Sequence, residues 1–296
     1  MIVNRSRGVA ALSVAGVAWG TSVPLSKVAL AWLDPGWLTA ARFALAAVVL
    51  LAVVPRQKLR AAFSWQVLAW GSFGYGGAVL VQNVGVERTS VTHASLLIGA
   101  GPVLIAVITA LWRHVVARPL AWVGFAVSLA GVAAVAGGRG GGATGAGDAL
   151  VLASTTLIAA MTVAQARLLK DRDPVAVTAI QFAGAALVTL PFAAGTAGVP
   201  AAPSGAGPVL AVIALTVAAT LLPFTLFAYG QRRVPAEVAG AFLNLEPLVG
   251  ATIGIVAFGD AFGPRQLLGG AAIVAGIALS SLPALRQHGP RLAAAA

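Results

Sequence analysis

The sequence contains no cysteine and few charges: charged residues make up 9% of its 296 residues, whereas hydrophobic residues make up 59%. The lack of cysteine excludes disulfide scaffolds, thiolate nucleophiles and cysteine-ligated metal centres. The three histidines are scattered, so neither a metal ion nor a cofactor is expected. A soluble surface needs roughly a quarter or more of its residues charged. The chain is therefore expected to lie in a lipid bilayer.

Apolar runs of about twenty residues, the length that crosses a bilayer core, recur along the whole chain. Arg5 and Arg7 precede the first run as in a signal peptide, but no convincing cleavage site follows, so this run is expected to be retained. The sequence predicts an all-α membrane protein with ten transmembrane helices. They lie at approximately 8–33, 36–54, 65–86, 91–112, 119–136, 148–169, 174–195, 207–229, 236–257 and 263–282.

The positive charges indicate how these helices are oriented. Fourteen lysines and arginines fall on one set of alternate connections, and three, Arg88, Arg139 and Arg265, fall on the other set. The richer side is expected to be cytoplasmic, together with both termini. The net charge of +11 is then a sign of topology and not of nucleic-acid binding. An excess of arginine over lysine, with abundant alanine and glycine, suggests a bacterial inner membrane.

The chain repeats itself in two halves. At an offset of 139, Asp34-Pro35 aligns with Asp173-Pro174. At an offset of 145, paired residues include Gly85 with Gly230 and Pro102 with Pro247. The sequence thus predicts two five-helix repeats, residues 1–136 and 148–296, joined by a glycine-rich linker at 137–147. Because five is odd, the second repeat is expected to be inverted in the membrane.

Inverted repeats favour a transporter whose halves rock about a central site and expose it to each side in turn. A channel fits less well, because no ring of charged residues and no carbonyl-filter motif is visible. A duplication that only builds a stable bundle is the structural alternative. The sequence leaves the oligomeric state open, with a monomer among the options.

Polar side chains inside the predicted spans follow helical spacing on the first, third, fourth, sixth, eighth and ninth helices. Such stripes usually face a bundle interior or a wet cavity. Each single serine or threonine more often bonds its own helix, so only their convergence indicates a cavity. The candidate cavity residues are Trp19, Ser22, Ser26, Tyr75, Gln82, Ser95, Gly99, Met161, Gln165, Thr220, Phe227 and Asn244.

Three ionisable residues within spans require separate interpretations. Glu246 lies near the middle of the ninth predicted span, where it is either a proton carrier or partner of a substrate amine, or a structural carboxyl beside Pro247. Lys27 and Arg42 lie on opposite legs of the first hairpin, each about seven residues from its turn. They are expected to snorkel to the outer headgroups, to pair with Asp34, or to line an outer mouth.

The first hairpin carries the run Ala18-Trp19-Gly20-Thr21-Ser22, followed by Lys27, Pro35 and Arg42-Phe43. This pattern resembles the opening signature of the EamA family of the drug/metabolite transporter superfamily. Pro102, Glu246-Pro247 and the glycines of the fifth and tenth spans resemble its repeat pattern, so the resemblance covers essentially the whole chain. The acidic residue usual before the fifth span is missing, whereas Asp260 stands before the tenth.

The resemblance implies a ten-helix exporter of small metabolites, similar in outline to the aromatic amino-acid and metabolite exporters of the family. Interior aromatic residues suit stacking on an aromatic or apolar solute; they are Trp19, Tyr75, Phe224, Phe227 and Phe242. We therefore expect a transporter that exports amino acids, including aromatic ones, by alternating access, with the solute and the bilayer as its partners.

Two other functions are weighed beside this one. A small-cation drug efflux pump would use Glu246 and the aromatic residues. An intramembrane enzyme is less favoured, because Ala257 breaks the GxGD motif of membrane aspartyl proteases before Gly259-Asp260, and no partner acid lies in another core span. The sequence does not predict an enzyme.

Overall fold

The computed structural model describes residues 2–113, 119–136, 143–203, 205–231, 242 and 245–287, and these residues form helices without any strand. The all-helical class expected from the sequence is confirmed for them. Two apolar helices, Trp122–Val135 and Leu245–Phe258, are short. Six helical stretches are long and apolar enough to cross a membrane: Ser6–Ala29, Pro35–Val53, Val91–Trp112, Gly145–Gln165, Pro174–Ala197 and Ala206–Phe227. The protein is thus a multi-pass membrane protein, and the count of ten spans stays a prediction.

Several helices before the glycine-rich segment are interrupted. Thr21 separates the first two helices, and Gly99 with Ala100 forms a turn between the seventh and the eighth. The elements are α1 (Ile2–Gly20), α2 (Ser22–Ala29), α3 (Pro35–Val53), α4 (Arg56–Ala62), α5 (Trp65–Trp70), the π-helix π1 (Gly71–Gly77), α6 (Ala78–Glu87), α7 (Val91–Ile98), α8 (Gly101–Arg113) and α9 (Pro119–Ala136).

The helices after that segment include three of 24 residues, α10 (Gly145–Leu168), α11 (Pro174–Ala197) and α15 (Pro264–Gln287). Pro191 lies inside α11. A proline is tolerated within a transmembrane helix because neighbouring groups can form the hydrogen bonds that its backbone loses. The elements are α10 (Gly145–Leu168), α11 (Pro174–Ala197), α12 (Ala206–Thr216), the π-helix π2 (Val217–Leu221), α13 (Leu222–Gln231), α14 (Leu245–Phe258) and α15 (Pro264–Gln287).

Two Asp-Pro pairs begin helices in the same way. The Asp34 carboxylate accepts the backbone N–H groups of Gly36 and Trp37, and the following proline takes the first position of α3. Asp173 caps α11 in the same manner and also accepts a hydrogen bond of 2.8 Å from Lys58. Partial burial tends to raise the pKa of Asp173, but the Lys58 ammonium and the backbone N–H groups outweigh it and hold that pKa below its ordinary value.

The two π-helices occupy corresponding positions in the chain. An offset of 145 carries residues 71–77 onto residues 216–222, and π2 covers Val217–Leu221. A π-helix is rare and often marks a functional site, because it widens the helix and disturbs the regular hydrogen-bond ladder. Within π2, the Thr220 hydroxyl donates to the carbonyl of Leu215, five residues earlier. Both π-helices lie against long helices, π1 against α11 and π2 against α1 and α3.

Contacts between the two parts of the chain are made through glycines at matching positions. A Cβ on Gly131 would lie 2.5 Å from the carbonyl oxygen of Gly269, and one on Gly276 would collide with the carbonyl of Gly124. Since the offset of 145 aligns Gly124 with Gly269 and Gly131 with Gly276, these are the same contact made twice. The contact joins α9 and α15, which pack along much of their length.

A second pair of contacts repeats in the same way. A Cβ on Gly85 would lie 2.9 Å from both the carbonyl oxygen of Gly147 and Cγ2 of Val151, near the start of α10. One on Gly230 would lie 2.5 Å from Cγ of Leu12 on α1. The offset of 139 aligns Leu12 with Val151, and the offset of 145 aligns Gly85 with Gly230. The glycine of each part of the chain therefore packs against the equivalent residue of the other part.

The α9–α15 contact depends on the missing side chain at Gly131. We expect Gly131→Ala to lower the stability by about 1–3 kcal/mol, because the added methyl group must push two backbones apart. Thermal unfolding in detergent checks this. Gly207→Ala is the control, since a Cβ on Gly207 meets nothing within 4 Å. Equal melting temperatures for the two variants would contradict the close contact.

Candidate functional site

Aromatic rings from both parts of the chain meet in the interior. Phe224 lies at the centre of the group, with ring centroids 5.1 Å from Trp19 and 5.3 Å from each of Tyr75 and Phe182. These contacts are edge-to-face, the arrangement that aromatic quadrupoles favour. The aromatic cluster comprises Trp19, Phe43, Tyr75, Phe182, Phe224 and Phe227.

Phe43 and Phe182 give this cluster its symmetry. Their ring centroids are 5.3 Å apart, and both side chains are almost fully buried. The offset of 139 aligns the two residues, one on α3 and one on α11. The sequence analysis did not select them as cavity residues, although the pairing of Arg42-Phe43 with Gln181-Phe182 was a usable signal.

Arg42 lies beside the aromatic cluster and is only 4% exposed. Its Nε donates to the Thr220 hydroxyl at 2.6 Å, and its Nη2 donates to the carbonyl oxygen of Ala219 at 3.1 Å. Its guanidinium carbon is 5.7 Å from the centroid of the Phe43 ring. Nη1 is buried and has no hydrogen-bond partner among the described residues. An unpaired buried donor costs about 1–3 kcal/mol, so this nitrogen is suited to a ligand.

The position of Arg42 differs from two of the expectations for it. The side chain is buried and does not pair with Asp34, which accepts backbone N–H groups at the start of α3. The interpretation that Arg42 lines an outer mouth stays a prediction. The sequence pattern did not predict this contact with π2, because helical spacing does not reveal a π-helix. The Ala219 carbonyl of π2 accepts the hydrogen bond from Nη2. Arg42 thus joins α3 to π2 in the interior.

Lys27 also makes contacts that were not expected. Its Nζ donates to the carbonyl oxygens of Val86, Glu87 and Thr89 at 2.7, 3.1 and 2.8 Å. Carbonyls at the end of a helix lack partners within that helix, and a cation stabilises them. Lys27 therefore caps the end of α6, away from the aromatic cluster.

Glu246 lies in the first turn of α14 and is partly buried. Within the described ranges, Glu246 forms no ion pair shorter than 4.0 Å. A Cβ on Gly20, next to Trp19, would lie 3.0 Å from the Glu246 carbonyl oxygen, so α14 begins directly beside the end of α1.

The candidate residues thus lie at several separate places in the structure. Trp19, Tyr75, Thr220 and Phe227 come together with Arg42 in or beside the aromatic cluster. Ser95 and Gly99 lie instead where α7 crosses α14, and the buried Ser95 hydroxyl has no partner among the described residues. Ser22 and Ser26 on α2 and Gln82 on α6 are buried near the Lys27 cap, and Asn244 lies outside the described residues.

The two candidates on α10, Met161 and Gln165, make contacts of a different kind. Met161 is buried against π1, where a Cβ on Gly74 would lie 2.8 Å from its sulfur. Gln165 and Gln181 exchange two side-chain hydrogen bonds of 3.2 and 2.7 Å. Because the offset of 139 aligns Gln181 with Arg42, the second part of the chain has a neutral amide pair where the first part has a cation.

A buried polar network that the sequence analysis missed joins the two parts elsewhere. Asp148 accepts a hydrogen bond of 2.6 Å from Thr89, and its other oxygen lies 3.1 Å from Nδ1 of His93. Nε2 of His93 is 3.3 Å from the Gln266 amide nitrogen. The signal was available, since His93 and Asp148 are ionisable residues next to apolar runs. Nearby, Asp260 accepts the N–H of Thr92 at 2.7 Å.

This network is expected to hold α7, α10 and α15 together. Asp148→Ala removes the acceptor from two buried groups, so we expect a loss of about 1–3 kcal/mol in unfolding free energy. Thermal unfolding in detergent measures it. Thr156→Ala on the same helix is the control, because that exposed hydroxyl bonds only the carbonyl of Leu152. A loss no larger than that of the control would refute the role of the network.

Comparisons with known proteins agree with this architecture. The sequence model of the EamA-like transporter family matches residues 6–137 and again residues 145–282. An uncharacterized transporter of Archaeoglobus fulgidus is 26% identical over 288 residues, which cover 94% of this chain and 97% of that protein. Another from the same organism is 38% identical over 68 residues, a quarter of its own length. A crystal structure of another protein, 24% identical, has the same fold, with a TM-score of 0.71 over 96% of this chain and 99% of the other.

Proposed function

Because the chain belongs to the EamA-like transporter family, whose members are membrane transporters, we propose that it exports amino acids, including aromatic ones, and similar small metabolites. The observation that carries this proposal is the aromatic cluster beside Arg42, whose Nη1 has no partner among the described residues. A ring surface and a buried cation together suit a solute with an apolar body and a carboxylate.

The architecture that we propose has ten spans in two inverted five-helix repeats, residues 1–136 and 148–296. The repeated contacts support it, because Gly131 meets Gly269 as Gly276 meets Gly124. Reciprocal contacts of this kind are what a twofold relation between two similar units produces. We place both termini in the cytoplasm from the bias of positive charges, and the protein in a bacterial inner membrane.

Alternating access in this architecture would use the irregular helices. π1 and π2 lie at matching positions, Thr21 interrupts the first span, and Gly99 with Ala100 interrupts the fourth. Interrupted helices at matching positions of two repeats are the best pointer to a transport site. At these points the ends of a helix can tilt while the close α9–α15 contact stays fixed. The aromatic cluster would then open to one side at a time.

A pump for small cationic drugs is the second candidate. It is favoured by Glu246, which has no ion pair within 4.0 Å in the described part of the chain. The buried positive charge of Arg42 opposes it, since a cation in the aromatic cluster would be repelled by the guanidinium. Amino acids carry a negative group that Arg42 attracts, so they fit better.

Counterflow into proteoliposomes tests the proposed function. We expect labelled phenylalanine and tryptophan to exchange, and the dye ethidium and nucleosides to compete poorly. Exchange of ethidium or nucleosides with no exchange of any amino acid would refute amino-acid export.

Phe224→Ala tests the site itself. Removing the central ring should raise the apparent KM for phenylalanine by roughly tenfold, because an aromatic contact contributes about 0.5–1.5 kcal/mol beyond its buried area. Phe192→Ala is the matched control, since the Phe192 side chain is 47% exposed on α11 and is expected to face lipid. An equal effect of both substitutions on KM would argue against binding at the aromatic cluster.

A further inference from the structure

Two interior residues of opposite charge, Arg42 and Glu246, form no ion pair with each other. Arg42 uses two of its nitrogens on π2, and Nη1 stays without a partner among the described residues. Glu246 lies in the first turn of α14, where its backbone packs beside Gly20 at the end of α1, and within the described ranges no ion pair below 4.0 Å includes it. Two such charges in a bilayer interior usually pair directly or are compensated by a ligand.

The aromatic rings connect the two charged groups. Thr220, which accepts the hydrogen bond from Arg42, lies one helical turn before Phe224. The Phe224 ring contacts the Trp19 ring at 5.1 Å, and Gly20, next to Trp19, packs against the backbone of Glu246. A continuous path of contacts thus leads from the Arg42 guanidinium, along the rings, to the backbone of Glu246.

We propose that Arg42 and Glu246 bind the two ends of one zwitterion, with the solute's α-carboxylate on Nη1 of Arg42 and its α-ammonium on the Glu246 carboxylate. The side chain of the solute then packs against Trp19, Tyr75 and Phe224. This inference rests on the proposed function and narrows its substrate class to free α-amino acids. Amines and carboxylic acids, which lack one of the two charged ends, are poor substrates.

The chemistry of each end fits this assignment. A guanidinium forms short, charge-assisted hydrogen bonds to carboxylates, and Arg42 is fixed for this task by Thr220 and the Ala219 carbonyl. A zwitterion also leaves the total charge of the site unchanged when it binds. Such a solute compensates both buried charges at once, whereas an amine or an acid compensates one and leaves the other.

The test compares three competitors of phenylalanine counterflow that share one ring: phenylalanine itself, phenethylamine, which lacks the carboxylate, and 3-phenylpropionate, which lacks the amine. With the unaltered protein, we expect each analogue to compete at least about tenfold more weakly than phenylalanine, because each forfeits a hydrogen bond between charged groups. Equal competition by either analogue overturns the proposal, and this outcome needs no variant.

Variants then assign each end to its residue. Arg42→Gln should remove the preference for phenylalanine over phenethylamine and keep the preference over 3-phenylpropionate. Glu246→Gln should do the reverse. A substitution that only damaged the structure would weaken competition by all three compounds to the same extent. That result in both variants overturns the assignment. Arg60→Gln, which removes an exposed arginine on α4, is the control and should keep both preferences.

The outcomes also separate this proposal from the proposed function. If no amino acid exchanges at all, amino-acid export itself is wrong. If phenylalanine exchanges but either analogue competes as well as phenylalanine does, export stands and the binding of a zwitterion by Arg42 and Glu246 is wrong.

Discussion

The hydrogen bonds from Arg42 to π2 are the interaction on which the rest of the interior depends. Arg42 is 4% exposed, and a charge buried in a membrane protein must be compensated by nearby polar groups. The Thr220 hydroxyl and the Ala219 carbonyl each accept a hydrogen bond from Arg42. These bonds join α3 to π2, and so the first part of the chain to the second. They also fix the guanidinium beside the aromatic cluster and leave Nη1 without a partner among the described residues.

The scaffold around this interaction is repeated, whereas the polar site is not. Glycine contacts recur in pairs, and Phe43 meets Phe182 at matching positions. The residue aligned with Arg42 is Gln181, which exchanges hydrogen bonds with Gln165 and needs no further partner. Matching frames allow two similar bundles to move against each other. In the proposed site, the cation stands on one side only, as the recognition of a solute with two different ends requires.

The sequence predicted the features that local patterns determine. The helical class and the family follow from apolar run length and from motif. The π-helices could not be predicted, because periodicity does not distinguish them from α-helix. The partners of Arg42 and the contact of His93 with Asp148 arise between segments far apart in sequence, so neither spacing nor composition reveals them. Four of the predicted cavity residues do lie together in or beside the aromatic cluster: Trp19, Tyr75, Thr220 and Phe227.

The inverted relation of the two halves is the central claim, and labelling of single cysteines tests it most directly. Ala31 and Lys170 are exposed turn residues that the offset of 139 aligns, and the chain has no cysteine of its own. If the halves are inverted, we expect Ala31→Cys to react with a membrane-impermeant maleimide in intact cells. Lys170→Cys should react only after the membrane is permeabilised. Reaction of both from the same side would contradict the inverted relation.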